Sequence, residues 1–178
     1  MKLIALDLDG TLTNDQKEVT PRTRAALDAA IERGVTVVLA SGRPTAGVLP
    51  LAKDLELDKK GGCILSYNGG KIIDCRTGET LYQKQLEAQY VPELCAFAAA
   101  QDVAIITYNN EGVVTERPDA EWALHECFTC KLPITGVDDL AKYVDYPICK
   151  MLITLDPARR DEVWAAGKQQ FAGRIDLY

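Results

Sequence analysis

The sequence predicts an α/β protein, on three observations. The chain opens on an apolar run, Leu3-Ile4-Ala5-Leu6, that leads into Asp7-Leu8-Asp9-Gly10-Thr11; the run is short and apolar enough for a fully buried strand. A helix-period segment up to Arg33 and a β-branched run, Val35-Thr36-Val37-Val38-Leu39-Ala40, follow. That strand, helix, strand order makes a right-handed parallel crossover. From about Gln83 the pattern changes to helices beside hairpins, which reads as a second, α+β module.

A length of 178 residues suits one ordinary domain or two small ones. With 47% apolar and 26% charged residues the chain has enough material for a real core. A net charge of −6 argues against a nucleic-acid or anionic-membrane partner. No apolar run approaches the length of a membrane span, and the N-terminus lacks the pattern of a signal peptide. Six cysteines, at 63, 75, 95, 127, 130 and 149, are too scattered for a disulfide scaffold. A reduced, cytoplasmic protein is the expectation.

Taken in order, Thr20-Pro21 is a helix start with a cap and a first-turn proline, and Gly34 ends that helix. Leu27, Ala30 and Ile31 give it an apolar face. The spacing predicts a further helix over 44–57, with Pro50 kinking or delaying it. A strand over 61–66 ends in Tyr67-Asn68-Gly69-Gly70, and a hairpin follows around Arg76-Thr77-Gly78-Glu79. In the second module the pattern predicts a helix over 86–101 and a hairpin around Asn109-Asn110-Glu111-Gly112. A short helix over 118–127, a strand over 148–155, a helix over 157–171 and a last strand from Gly173 complete it.

The chemistry gathers where strands end. A side-chain period of two points Asp7 and Asp9 to one side of the first strand. Ligands of open α/β sheets bind outside the carboxyl ends of the strands. Two acids there either hold a cation, move a proton, or simply cap the turn before the first helix. Ser41-Gly42-Arg43-Pro44 closes the second strand, so Ser41 reaches the same edge as Asp7. A hydroxyl and free N–H groups entering a helix make an anion site, or a plain helix cap.

The run Asp7-Leu8-Asp9-Gly10-Thr11-Leu12-Thr13 resembles the first motif of the haloacid dehalogenase (HAD) superfamily, most of whose members are Mg-dependent phosphotransferases. Ala40-Ser41-Gly42-Arg43-Pro44 looks like the second motif, whose hydroxyl binds the transferring phosphoryl group. The Asn68-Gly69 stretch resembles one found at this point in the Cof-type branch, subfamily IIB. The resemblance covers the whole chain. It implies an incomplete Rossmann-like HAD core over 1–82 and an inserted α+β cap of type C2 over 83–178.

It implies roles as well. Asp7 would attack phosphorus and form an aspartyl-phosphate. Asp9 would protonate the leaving group and then deprotonate the attacking water. Mg²⁺ would be held by the Asp7 carboxylate and the Asp9 backbone carbonyl. Leu8, Gly10, Thr11, Ser41, Gly42, Arg43 and Asn68 would bind the phosphate or the rest of the substrate. For Arg43 a substrate phosphate, a cap residue and a surface ion pair all stay open. The implied activity is a phosphatase acting on small phosphorylated metabolites such as sugar phosphates. A phosphomannomutase-like phosphotransferase and a catalytically incompetent binding module are the alternatives. The superfamily's third-motif lysine and its Gly-Asp-x-x-Asn-Asp cluster do not occur in these 178 residues. A longer protein of about 260 to 280 residues is therefore expected by analogy, and a core sheet of three parallel strands with an uncovered edge.

Other features attract a function less well. His125, Cys127, Cys130 and Cys149 invite a zinc reading, but Cys127-x-x-Cys130 is only half of a tetrahedral site and the other half has no partner pair; reduced, half-buried thiols are the simpler reading. Lys150 reads as a solvated or strand-edge lysine, and Trp122 and Trp164 as core residues.

Overall fold

A computed structural model describes residues 2–178 and divides into two compact units, one ending at Gln85 and the other spanning Leu86–Tyr178. In the first, β1 (Lys2–Asp7) leads to α1 (Pro21–Glu32), β2 (Val35–Ala40), α2 (Thr45–Asp54), a single-turn α3 (Leu57–Lys60) and β3 (Cys63–Ser66). The hairpin of β4 (Lys71–Asp74) and β5 (Thr80–Gln83) completes it. The sheet order is β1-β2-β3-β4-β5, with β1, β2 and β3 mutually parallel. Register decides where the loops go. Asp7 pairs with Ala40 and Ala40 with Leu65, so three strands end level at one edge.

Helix boundaries follow local chemistry. The Thr20 hydroxyl accepts from the Thr23 N–H at 3.2 Å, Pro21 starts α1, and Gly34 leaves it at φ 77°. Helix α2 begins directly after Pro44 and runs through Pro50, so that proline does not delay it. Leu8, Leu12, Val37, Leu39, Val48 and Ile64 form the centre of this unit's core.

One expectation fails here. The first strand is not buried: Leu3 is 57% exposed and Ile4 37%. β1 is the edge of the sheet with a single neighbour, and α1 packs chiefly over β2. An apolar run signals burial on both faces only when layers cover both, and here its hydrophobicity exceeds what these residues cover.

The second unit contains α4 (Tyr90–Ala100), β6 (Ala104–Tyr108), β7 (Val113–Thr115), α5 (Glu121–Cys130), β8 (Ile134–Gly136), the single-turn α6 (Leu140–Tyr143), β9 (Leu152–Thr154) and α7 (Arg160–Phe171). Its sheet runs β8-β7-β6-β9, antiparallel except for the β7–β8 pair. Leu94, Phe97, Val114, Leu140, Val163 and Phe171 form its core.

Several boundaries move from where periodicity sets them. Leu86 does not start α4, because its N–H donates to Ile148 O at 2.8 Å. A turn closed by the Ala120 N–H on Arg117 O shifts α5 toward the C-terminus. β8 and α6, three and four residues long, are too short for a periodicity to be read from the sequence. The strand expected from Gly173 does not form. Gly173 at φ 71° turns the chain, and the Arg174 N–H bonds back to Phe171 O at 3.0 Å.

Trp164 is 42% exposed rather than in the core. It lines an apolar cavity of about 490 Å³ beside Phe97, Ile153 and Phe171, with the Lys168 ammonium 4.8 Å from its ring centroid. Trp122 is half-buried, edge-on to His125 at 5.8 Å. Lys150 is not solvated either: it is half-buried, 5.7 Å from the Tyr108 ring, and burial lowers its pKa. All six cysteines are free thiols, and Cys130 donates to Glu126 Oε1 at 3.1 Å.

Candidate active site

Everything the sequence singles out for phosphate chemistry lies in the first unit, at the edge where β1, β2 and β3 end together. Leu8 anchors the first loop. Its side chain is 1% exposed, while its carbonyl accepts from the Thr13 N–H at 3.0 Å and the Thr13 hydroxyl at 2.9 Å. With Leu8 inward, Asp7 and Asp9 both stand outward and exposed. Leu8 thus has only backbone to offer a ligand. Gly10 takes φ 77°, a turn that a side chain would strain, and Thr11 follows it exposed.

The two acids meet different fates. Asp9 is held by Arg43, whose Nε donates to Oδ2 at 2.9 Å and whose Nη2 donates to Oδ1 at 2.5 Å. Lys17 Nζ adds a third donor, 2.8 Å from Oδ1. Partial burial pulls the Asp9 pKa upward, but the hydrogen bonds and charges of Arg43 and Lys17 outweigh it and hold the carboxyl below its ordinary value. Asp7 has no side-chain hydrogen bond or ion pair among the described residues. One carboxylate is clamped and the other is open.

Around them the second and third loops interlock. Ser41 is 8% exposed; its N–H donates to Leu65 O at 2.9 Å, and its Oγ accepts from the Arg43 N–H at 3.1 Å. The hydroxyl proton of Ser41 is then left to donate outward. The Asn68 N–H donates to Ser41 O at 3.2 Å and the Tyr67 N–H to Arg43 O at 3.0 Å. Tyr67 and Asn68 reach these bonds only through left-handed φ angles of 53° and 57°. At Gly42 a Cβ would stand 3.2 Å from Asn68 Nδ2, so the absence of a side chain there lets the two loops meet.

The structure therefore joins Asp9, Ser41, Gly42, Arg43 and Asn68 through direct contacts. Asp7, Gly10 and Thr11 share the rim through the β1 turn. Lys17 is the residue sequence reasoning missed. It lies in the polar run 14–20, and only the turn-forming Asn14 hinted that this run folds back toward Asp9.

The donor set suits a small hard cation. Asp7 brings an unpaired carboxylate, and the Asp9 carbonyl takes no backbone hydrogen bond among the described residues. Mg²⁺ is held in this manner, by one or two carboxylates with water and substrate phosphate completing the shell. Asp7 and the Asp9 carbonyl are two donors of that kind, and among the described residues no group of three or more His, Cys, Asp or Glu side chains gathers to hold a metal.

The Asp-x-Asp turn, the Ser-Gly-Arg loop and the Asn-Gly loop thus gather outside the carboxyl ends of the parallel strands, where open α/β sheets bind their ligands. The sequence profile of haloacid dehalogenase-like hydrolases matches residues 4–178, and the chain belongs to that family. A haloacid dehalogenase-like hydrolase from Bacteroides thetaiotaomicron has the same fold, with TM-score 0.92 and 39% identity over 99% of this chain and 66% of that one. M6_Spy0533 of Streptococcus pyogenes is 34% identical over 135 residues, 75% of this chain and 50% of that protein. The HMP-PP phosphatase of Serratia proteamaculans is 31% identical over 183 aligned residues, 99% of this chain and 62% of the relative. The chain thus spans about half to two thirds of the length of these curated relatives.

Proposed function

We propose that this chain carries the phosphoryl-transfer centre of a Mg²⁺-dependent phosphatase for small phosphomonoesters. The reading rests above all on the unequal state of the two carboxylates. Asp7 is exposed and unpaired among the described residues, as a nucleophile must be, and Asp9 beside it is oriented by three donors. The match to the HMP-PP phosphatase supports the substrate class, a small phosphorylated metabolite.

In this mechanism an Asp7 oxygen attacks phosphorus and the bond to the leaving oxygen breaks, giving an aspartyl-phosphate. Asp9 gives that leaving oxygen a proton and later takes one from the water that attacks the phosphoryl group. Ser41 Oγ–H, the exposed Thr11 hydroxyl and Asn68 hold the equatorial oxygens. The negative charge of the arriving phosphate raises the proton affinity of Asp9 against the pull of Arg43 and Lys17. Asp7 and the Asp9 carbonyl would hold Mg²⁺, whose charge, when bound, lets an anionic carboxylate approach an anionic phosphate. The second unit, Leu86–Tyr178, serves as the substrate-selecting cap.

The test is turnover of p-nitrophenyl phosphate with Mg²⁺ by the full chain and by Asp7→Asn. Substitution should remove at least about a hundredfold of activity, and beryllium fluoride should protect Asp7 in the unsubstituted protein. Full activity in Asp7→Asn would refute the assignment.

A further inference from the structure

Lys17 lies in the turn after β1 and reaches back to Asp9. It occupies a left-handed φ of 61°, a conformation that disfavours a lysine and that a glycine would adopt freely. The turn is nonetheless firmly made. The Asn14 N–H donates to Glu18 O at 3.0 Å, the Lys17 N–H to Asn14 O at 2.9 Å, and the Glu18 N–H to Asn14 Oδ1 at 2.9 Å. Its product is the delivery of Nζ to 2.8 Å from Asp9 Oδ1. The placement of Nζ on Asp9 points to function, rather than the φ value, which Glu56, Asp102 and Lys131 share.

The donor count says which function. Among the described residues Asp9 Oδ1 takes two donors, Lys17 Nζ and Arg43 Nη2, while Oδ2 takes one, Arg43 Nε. Each carboxylate oxygen offers about two lone-pair sites. Oδ1 is filled, and Oδ2 keeps one site open. We propose that Lys17 is a positioning residue that fills Asp9 Oδ1, so that Oδ2 is the atom that carries and transfers the proton.

This rests on the phosphatase reading and adds the atom to it. As the Asp7–phosphorus bond forms, the electron pair of the breaking P–O bond passes to the leaving oxygen, and the proton on Oδ2 moves there. In the second step water loses a proton to Oδ2 as its oxygen bonds to phosphorus and the Asp7–phosphorus bond breaks. Without Lys17 the carboxylate is held on one side only, by the Arg43 fork, and either oxygen can take the proton.

A leaving group that needs a proton separates this role from simple support of the fold. Initial rates are measured with Mg²⁺ on p-nitrophenyl phosphate, whose leaving group departs as an anion, and on glycerol phosphate, whose alkoxide must be protonated. Lys17→Met and Lys17→Gly should lower kcat/KM on glycerol phosphate by about tenfold or more and on p-nitrophenyl phosphate by about twofold at most. Lys17→Arg should restore most of the difference. Lys17→Gly relieves the left-handed strain, so its Tm should hold or rise. Equal losses on the two substrates, or none, overturn the proposal. If the unsubstituted chain turns over neither substrate, the phosphatase reading fails and a crystal structure of Lys17→Met decides the positioning. A rotated or split Asp9 carboxylate upholds it, and an unmoved one overturns it.

Discussion

Substituting alanine at Gly42 should damage the site while leaving the fold almost untouched. The added Cβ would lie 3.2 Å from Asn68 Nδ2 and 3.3 Å from Asn68 Oδ1, closer than a side chain is normally tolerated. Gly42 has no left-handed φ of its own, so alanine strains no backbone there. It should instead stabilise by about 0.4–1 kcal/mol through a less disordered unfolded chain. The Asn68 backbone is held by its bond to Ser41 O, so the side-chain amide must move, at about 0.5–1.5 kcal/mol for an off-rotamer position. The two effects nearly offset. A residual of about 1 kcal/mol shifts Tm by about 2–4 °C in a chain of this size.

The amide, once displaced, loses a hydrogen bond worth about 0.5–1.5 kcal/mol, which corresponds to a rise of about twofold to tenfold in KM. Thermal unfolding followed by circular dichroism, alongside KM for p-nitrophenyl phosphate with Mg²⁺, measures both sides. A Tm drop of more than about 10 °C, or an unchanged KM, would refute the reasoning. The first would show that the contact supports the fold, and the second that Asn68 is not part of the site.

Two further outcomes follow from burial of ionisable groups. Burial lowers the Lys150 pKa below its ordinary 10.5 despite the nearby Glu126 carboxylate. Below the folded value both states are protonated and the burial cost is complete; as pH rises from there toward 10.5, the native state sheds its proton first and stability increases. The Tm of wild type relative to Lys150→Met should therefore climb through that window, and a flat difference would contradict it. Burial likewise pushes the Cys75 thiol to about 12 and Cys95 to about 11, against an ordinary 9.0. Iodoacetamide at pH 8 should alkylate Cys75 about a hundredfold or more slowly than an exposed thiol, as read by peptide mass spectrometry; rapid labelling would show that the site opens.

What could be read from the chain is what neighbours in sequence decide. The alternation that sends Leu8 inward and Asp7 and Asp9 outward is a property of one extended strand. The Thr20-Pro21 start and the Gly34 stop of α1 are set by cap and φ preferences within a few residues. The resemblance of the Asp-x-Asp and Ser-Gly-Arg stretches to family motifs was equally local, and the profile match over residues 4–178 bears out the family. Helix boundaries were less legible wherever a distant partner claimed a backbone group, as Ile148 O claims the N–H of Leu86.

Burial of β1 could not be read this way, because an apolar run records a preference and the number of neighbouring strands records the outcome. Nor could the unequal treatment of the two acids. Arg43 follows Asp9 only after an intervening helix and strand, and it reaches the carboxylate because the parallel register brings β1 and β2 to the same level. Lys17 arrives from a turn whose left-handed residue nothing in its composition announces. The chain thus carried the kinds of groups the site needs, whereas which carboxylate is clamped and which stays open depends on distances that exist only after the sheet has assembled. Electrostatic contacts act over a few ångströms of space, and sequence separation says little about that.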